Sequence, residues 1–452
     1  MKKIFLAAFL CCSGSLWAQS ADSLLLNRVF REIMLHSNCY DNLSVLTKTI
    51  GHRLSGSPQA DQAVEWAREA MLQAGADSVW LQPVDVPYWT RGEEWFSIQN
   101  SKGGYDPVPV LSLGNTEGTG GAVLNAEICA VADLAAFEKL DPSQVKGKIV
   151  FFNYHFRQDW VNTFEGYGDA VKYRWVAVNK ASEKSAAAVI IRSIATGLDD
   201  VAHTGASRYT EGLNHIPAMA IGNRSADALW KACNDGKVQA RLMSNCGMQG
   251  AKRSYNVIGQ ISGSTKASEI IVAGAHLDSW DVGEGAHDDG AGCVQVIEML
   301  RTLKSLGIKP SRTFRAVLYM NEENGVKGGI AYADSAREAK EQHIFAMESD
   351  AGGFVPRGIG LDMPPDAKRK VQSWAPLFAP YNVNDFSQEE GGVDIGPLKK
   401  LGVPLAGLLP DPQRYFDLHH SENDVLEAVN HRELKLGAWT MTALMLLVDK
   451  YF

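Results

Sequence analysis

Four short apolar runs in the second half of the chain have the pattern of buried β-strands. They occupy residues 270–275, 314–320, 344–347 and 405–409. Runs that are apolar throughout are typical of strands covered on both faces, as in a parallel sheet. Between the first two runs, residues 291–303 place apolar side chains at helical spacing, and residues 434–448 form an apolar C-terminal helix. This alternation predicts an α/β fold with a mostly parallel central sheet flanked by helices.

The first half of the chain divides into two parts. Residues 22–35 and 61–73 have helical patterns, and two short strands are predicted at 78–81 and 84–86. From about residue 101 to 250 the sequence is richer in glycine and in short β-type runs, which predicts a mainly-β module with one or two helices. We therefore predict a domain made of residues 19–100 and 251–452, with residues 101–250 inserted into it.

The N-terminus has the features of a cleaved signal peptide over residues 1–18. Lys2 and Lys3 precede the apolar run 4–10, and small residues lead to Ala18. The run is shorter than the roughly 20 residues that span a bilayer, and no later segment is apolar enough to do so. The sequence predicts a secreted or periplasmic protein without a membrane span.

Composition and charge narrow the classes of partner. The 452 residues are 45% hydrophobic and 21% charged, with a formal net charge of −8, which excludes a disordered chain and argues against nucleic acid as a partner. Five cysteines follow the predicted signal peptide, so at least one stays unpaired. Cys233 and Cys246 are close enough in sequence for a hairpin-like disulfide, and Cys293 is expected to be a core residue.

The candidate chemistry follows the predicted strands. Because ligands bind beyond the carboxyl ends of parallel strands, we expect polar side chains at these positions to meet at one edge of the sheet. Histidine and carboxylate are zinc ligands, and adjacent glutamates after a buried strand repel each other unless a cation compensates. The set indicates a site for two zinc ions, although cobalt or manganese would suit similar ligands. Its members are His276, Asp278, Asp288, Glu322, Glu323, Asp350, His419 and His420.

In this order the motifs resemble those of the di-zinc exopeptidases of peptidase family M28. A closer resemblance, to a carboxypeptidase branch of that family, is carried by residues 51–57, 274–281 and 391–398. The resemblance implies a zinc-exopeptidase fold and two zinc ions per chain. It implies these ligands: His276 and Asp350 for one ion, Glu323 and His420 for the other, and Asp288 between them.

The resemblance also implies roles for residues beside the ligands. Glu322 would be the general base and acid, and Asp278 would orient His276 as metal-bound imidazoles commonly require. His420 is favoured over His419 because it precedes Ser421, as the ligand in the family precedes a small hydroxyl residue.

The middle module resembles a protease-associated domain at residues 145–150 and 187–191. In the family this module covers the catalytic face, which implies a lid that limits peptide length. The loop of His203 either reaches the substrate or is a structural loop. Asp394 and Tyr415 are candidates for substrate contacts, with helix capping and aromatic packing as their respective alternatives.

The implied activity is hydrolysis of unblocked dipeptides or short peptides. Three alternatives stay open: an aminopeptidase acting on longer peptides, a glutaminyl-cyclase-like enzyme with one zinc ion, and a non-catalytic binding protein on the same fold. The sequence leaves open which side chains the substrate carries and whether the chain forms a homodimer.

Overall fold

The computed structural model describes residues 21–452, and the predicted signal peptide lies outside this range. The strands are β1 (Ser78–Thr90), β2 (Glu94–Gln99), β3 (Tyr105–Val108), β4 (Val110–Ser112), β5 (Leu124–Val131), β6 (Ile149–Phe152), β7 (Ala188–Arg192), β8 (Ala218–Ile221), β9 (Gln239–Ser244), β10 (Gly247–Ile261), β11 (Lys266–His276), β12 (Arg312–Tyr319), β13 (Gln342–Glu348), β14 (Pro356–Asp362) and β15 (Leu405–Pro410).

The helices are α1 (residues 21–36), α2 (Cys39–Ser44), α3 (Pro58–Gln73), α4 (Leu134–Glu138), α5 (Pro142–Val145), α6 (Thr163–Ala170), α7 (Val176–Glu183), α8 (Asn223–Asp235), α9 (Ala291–Ser305), α10 (Glu322–Gly325), α11 (Lys327–Glu338), α12 (Pro365–Gln372), α13 (Ala375–Phe378), α14 (Tyr415–Leu418) and α15 (His431–Tyr451). Short π or 3₁₀ turns occupy Val45–Ile50, Val171–Arg174, Ala286–Gly290, Ala379–Tyr381, Gly396–Leu401 and Leu426–Ala428.

The first sheet has seven strands in the order β1-β10-β12-β11-β13-β15-β14. Its centre, from β12 through β11 and β13 to β15, is parallel, while β1, β10 and β14 pair antiparallel at the two sides. The predicted α/β class is confirmed, and the four predicted strands are those of the parallel centre. The antiparallel edge strand β14 was not predicted.

Both faces of this sheet are covered, which explains the continuous apolar runs. In β11, Ile271, Ala273 and Ala275 pack into a core shared with α9 and α15. The alternate residues Ile270 and Val272 pack into a second core that includes side chains of α11. The alternation of side chains along a strand sends neighbouring residues to opposite faces. The sheet is therefore the middle of three layers.

The two short strands predicted at 78–81 and 84–86 are one strand, β1. Pro83 breaks the apolar pattern between them, yet it pairs in register with Tyr255 of β10. β1 is at the edge of the sheet, where a proline without an N–H group is tolerated.

Residues 94–244 form a second sheet of eight strands, in the order β3-β2-β9-β5-β6-β7-β8-β4. We call these residues the inserted segment. The prediction of one or two helices is too low, because α4 to α8 all lie within it. Four of the five span only four to eight residues, which is too short for a helical pattern to stand out. The segment is an α/β layer, and its assignment as a protease-associated domain, like the bounds 101–250, stays a prediction.

All five cysteines among residues 21–452 are free thiols, so the suggested pairing of Cys233 with Cys246 is wrong. Cys293 is buried in α9, as predicted. Within the same range, no helix is both long and apolar enough to cross a membrane.

Candidate metal centre

Three predicted ligands meet where the central strands end, and we call their site the first metal position. His276 is the last residue of β11, Asp350 follows β13, and Asp288 lies in the turn before α9. His276 Nε2 is 3.1 Å from Asp288 Oδ1 and 3.1 Å from Asp350 Oδ1. Atoms bound to one zinc ion at about 2.0–2.2 Å come similarly close to each other.

The second metal position shares Asp288 and adds Glu323 and His420. His420 Nε2 lies 3.2 Å from Asp288 Oδ2 and 3.0 Å from Glu323 Oε2. The neighbouring His419 stacks on His420, but its Nε2 is 3.8 Å from Asp288 Oδ2. His420 therefore contacts both carboxylates. Because Asp288, His419 and His420 also lie close enough together to hold one ion, the choice of His420 over His419 stays a prediction.

The hydrogen bonds of both imidazoles leave a lone pair aimed at the carboxylates. His276 Nδ1 donates to the Asp278 carbonyl at 2.9 Å, and His420 Nδ1 donates to the Thr204 carbonyl at 3.3 Å. A neutral ring that donates from Nδ1 has an unprotonated Nε2. That nitrogen faces carboxylate oxygens, so a proton or a metal ion has to lie between them. Without a metal ion the ring of His276 takes the proton, because Asp350 and Asp288 outweigh burial and raise its pKa well above the ordinary value. The donor set thus fits divalent metal ions.

The carboxylates of the centre are crowded and buried. Burial, reinforced by neighbouring carboxylates, raises the pKa of Glu322 and Glu323 well above the ordinary value. Burial also raises the pKa of Asp350. Burial opposes the ionisation of Asp288, but the contacts with His276 and His420 outweigh it and hold the pKa of Asp288 well below the usual range. Taken together, these buried carboxylates need added positive charge to ionise fully.

Asp278 supports the site differently from the prediction. Its carboxylate Oδ1 is 3.9 Å from His276 Nδ1, so the main-chain carbonyl and not the carboxylate orients that ring. The carboxylate instead accepts from the amides of Asn321 and Glu322, at 2.7 Å and 3.1 Å. Asp278 therefore fixes the start of α10, from which Glu322 reaches the cavity.

The sequence profile of Peptidase family M28 matches residues 256–445. Carboxypeptidase Q of Homo sapiens is 32% identical over 400 residues, which cover 88% of this chain and 82% of the relative. The chain belongs to peptidase family M28. It is therefore a metallopeptidase.

Solved structures agree with this M28 assignment. The peptidase M28 precursor from Shewanella amazonensis SB2B is 35% identical, with a TM-score of 0.89 over 95% of this chain and 97% of that chain. BSAP, a zinc aminopeptidase from Bacillus subtilis, is 21% identical, with a TM-score of 0.64 over 90% of this chain and 93% of that one. The second likeness shows the shared fold alone.

Two buried residues that were not predicted hold the loop between β11 and α9, which carries the candidate ligand Asp288. Asp424 accepts from the amides of His287 at 2.7 Å and Asp288 at 3.1 Å. Arg53 donates to the carbonyls of Leu277, Glu284 and Gly285 at 2.6–2.9 Å. Arg53 lies inside the stretch 51–57 that carried the closer family resemblance, which was a signal for its importance.

Asp394 does not reach the cavity, so the predicted substrate contact is not retained. Its side chain is 1% exposed and neither carboxylate oxygen has a hydrogen-bond partner among the described residues. The cause is Glu348, which accepts from the amides of Val393, Asp394 and Ile395 and turns this loop so that Val393 faces the cavity. Burial raises the pKa of Asp394 well above its ordinary range.

A cavity of about 840 Å³ opens onto the metal centre. Its floor includes Asp288, Glu322 and Asp350, and the inserted segment contributes much of the opposite wall. Tyr415 lines it and stacks on Phe164 of the inserted segment, with ring centroids 5.2 Å apart. A substrate contact of Tyr415 stays a prediction. The inserted-segment residues of the wall are Asn115, Phe164, Tyr167, Val171, Arg174, Trp175, Ala206, Ser207 and Arg208.

The side chain of His203 does not line the cavity and instead contacts the loop of His419 and His420. His203 is buried, and burial lowers its pKa to about 4, so the ring is neutral at pH 7. Its Nδ1 donates to the His419 carbonyl at 2.7 Å. The inserted segment thus both covers the cavity and supports the residues beneath it.

Proposed function

We propose that the protein is an exported di-zinc exopeptidase that hydrolyses unblocked dipeptides or short peptides. Three features support this proposal: the two metal positions that share Asp288, the free carboxylate of Glu322, and the covered cavity. Zinc suits the histidine and carboxylate donors best. Export rests on the predicted signal peptide, and N-terminal sequencing of the mature chain, expected to begin at Gln19, tests it.

The observation that carries the substrate assignment is the state of Arg174. Its side chain is 1% exposed, lines the cavity and forms no ion pair with any of residues 21–452. Nη1 donates to the Tyr167 hydroxyl at 3.0 Å, whereas Nε and Nη2 have no hydrogen-bond partner in that range. A buried guanidinium with two free donors is costly unless a carboxylate binds it. We infer that Arg174 binds the C-terminal carboxylate of the peptide.

The size of the cavity favours short substrates. With the inserted segment opposite the metal centre, one end of the peptide lies at Arg174 and the scissile bond lies near Glu322. A volume of about 840 Å³ is within the range of small-molecule sites. A dipeptide fits such a volume, while a long chain would have to displace the inserted segment.

In the proposed mechanism Glu322 moves the proton. The bound metal ions supply Lewis-acid activation of water and of the scissile carbonyl. A Glu322 carboxylate oxygen accepts a proton as water adds to the carbonyl carbon, and the same oxygen then delivers it to the departing amide nitrogen as the C–N bond breaks. The products are a carboxylic acid and a free amine. Asp278 keeps Glu322 in place through the main-chain amides.

The experiment compares one dipeptide in three forms: free, N-acetylated and C-amidated, each before and after chelation. We expect chelator-sensitive cleavage of the free form and strong loss with the amide. Arg174→Gln should raise KM for the free dipeptide and abolish the preference for a free carboxylate. Arg208→Gln, at an exposed arginine of the same cavity, is the matched control.

Each remaining result has a distinct meaning. Efficient cleavage of the amide that is unchanged in Arg174→Gln would contradict carboxylate recognition and favour an aminopeptidase. One tightly held zinc ion per chain without hydrolysis would favour the cyclase alternative. Two bound ions without turnover of any form would favour a binding protein.

A further inference from the structure

Thr204 of the inserted segment holds a metal-binding histidine of the first sheet's domain. Its amide donates to the His420 carbonyl at 2.9 Å, and its carbonyl accepts from His420 Nδ1 at 3.3 Å. His420 has φ +61°, a left-handed conformation that residues other than glycine rarely adopt. Two hydrogen bonds from one residue therefore hold both the main chain and the ring of a ligand in an unfavourable conformation.

Thr204 is fixed in turn through its side chain. The residue is fully buried, and its hydroxyl donates to the Ser112 carbonyl at 2.8 Å. Arg91 donates to the same carbonyl from Nη1 at 2.6 Å, and its Nη2 is 3.5 Å from the Thr204 hydroxyl. Arg91 and Thr204 thus share one anchor in the inserted segment.

Arg91 also binds the loop that follows His276. Its Nε and Nη2 donate to the two carboxylate oxygens of Asp281 at 2.9 Å and 2.6 Å. The Arg91 side chain is 11% exposed, so this two-pronged ion pair is mostly shielded from water. Arg91 lies between β1 and β2, where the chain leaves the first sheet. It therefore connects the loop after His276, the inserted segment and Thr204, which hydrogen-bonds to His420.

We propose that Thr204 and Arg91 are positioning residues for the second metal position. The inserted segment then completes the metal centre in addition to covering it. This inference rests on the proposed binding of two zinc ions. Loss of the anchor lets the His420 ring relax from Asp288 and Glu323, whereas the ligands of the first position keep their places at the strand ends.

The test is titration of the metal-free protein with Zn²⁺ in competition with a chromophoric chelator. Thr204→Val removes only the hydroxyl, and Thr204→Ser keeps it. Thr204→Val keeps the main-chain hydrogen bonds to His420 and removes only the hydroxyl that anchors them. Because complete loss of an outer partner of a metal ligand lowers affinity about 10- to 100-fold, we expect Thr204→Val to weaken the binding of one of the two ions by up to about 10-fold. Thr204→Ser should match the wild type, and the affinity for the other ion should not change.

Asp281→Asn keeps the inference testable if Thr204→Val does not fold. It removes the charge that binds Arg91 and should weaken the same ion, whereas Asp85→Asn, which breaks an exposed pair with Arg253, should not. In Thr204→Val and Asp281→Asn, kcat should fall at limiting zinc and recover at saturating zinc.

The outcomes separate the two claims. This inference alone is wrong if the wild type binds two ions and if folded Thr204→Val and Asp281→Asn both keep the wild-type affinity for the more weakly bound ion. A wild type that binds a single zinc ion would overturn both this inference and the two-zinc proposal.

Discussion

The two metal positions draw on different parts of the chain. In the first, His276 ends β11 and Asp350 follows β13, and these neighbouring parallel strands are buried on both faces. In the second, Glu323 follows β12, but His420 lies in a loop after α14 and hydrogen-bonds to Thr204 of the inserted segment. One position depends on the core of the sheet, and the other also depends on a contact between the two sheets' domains.

This difference separates two requirements for a binuclear site. Ligands at the ends of packed strands are placed when the core folds, because close packing leaves strands little freedom. A ligand on a loop needs further partners, and each partner can be lost without unfolding the core. We therefore expect the two positions to bind metal with unequal affinity.

Chelation should have the largest effect, because it removes the ions from both positions. Ligand binding stabilises a fold by about 4 kcal/mol per site at a thousandfold excess over Kd, and the buried carboxylates repel each other without cations. We expect zinc to leave in two steps as chelator increases, with activity lost and Tm lowered. Zinc content and calorimetry measure this. Simultaneous release of both ions would contradict the expected difference in zinc affinity between the two positions.

Glu322→Gln separates chemistry from metal binding. General acid–base catalysis contributes about 10²- to 10⁴-fold, so kcat for a free dipeptide should fall by that factor while KM and zinc content stay near wild type. Steady-state kinetics with metal analysis test this, and Glu389→Gln, at an exposed glutamate, is the control. Unchanged turnover would show that Glu322 is not the base.

Arg53→Lys should weaken the loop that runs from His276 to Asp288. A lysine cannot make all three carbonyl hydrogen bonds of the arginine, and hydrogen bonds from charged groups contribute about 1.5–3 kcal/mol each. We expect the free energy of unfolding to fall by about 3 kcal/mol in a denaturant titration. Arg357→Lys, at an exposed pair with Asp411, should change it little. Equal stability of Arg53→Lys and the wild type would show that Arg53 does not stabilise this loop.

His203 should make the contact between the domains sensitive to acid. Its pKa is about 4 when folded, against about 6.5 unfolded. The neutral ring therefore stabilises the fold fully above pH 6.5, and this contribution, about 3 kcal/mol, is lost as pH falls toward 4.

The matching variant is His203→Asn, whose amide can still donate to the His419 carbonyl. Urea unfolding between pH 4.5 and 7 should show a smaller loss of stability on acidification for the variant. Parallel losses in both proteins would contradict a role for His203.

The clustering of the candidate ligands was predictable because it depends on local order along the chain. Continuous apolar runs give the parallel strands, and His276, Glu323 and Asp350 come directly at or after their ends. Arg174 and Thr204 gave no comparable signal, since their importance depends on how the inserted segment packs over the sheet. Asp394 was misplaced for a similar reason: the three amides bound by Glu348 decide the course of its loop.

A crystal structure of the zinc-loaded protein, with an anomalous difference map collected at the zinc edge, tests the central claim most directly. We expect two peaks that share Asp288: one beside His276 and Asp350, and a weaker one beside Glu323 and His420. A single peak, or a pair that does not share Asp288, would contradict the di-zinc centre.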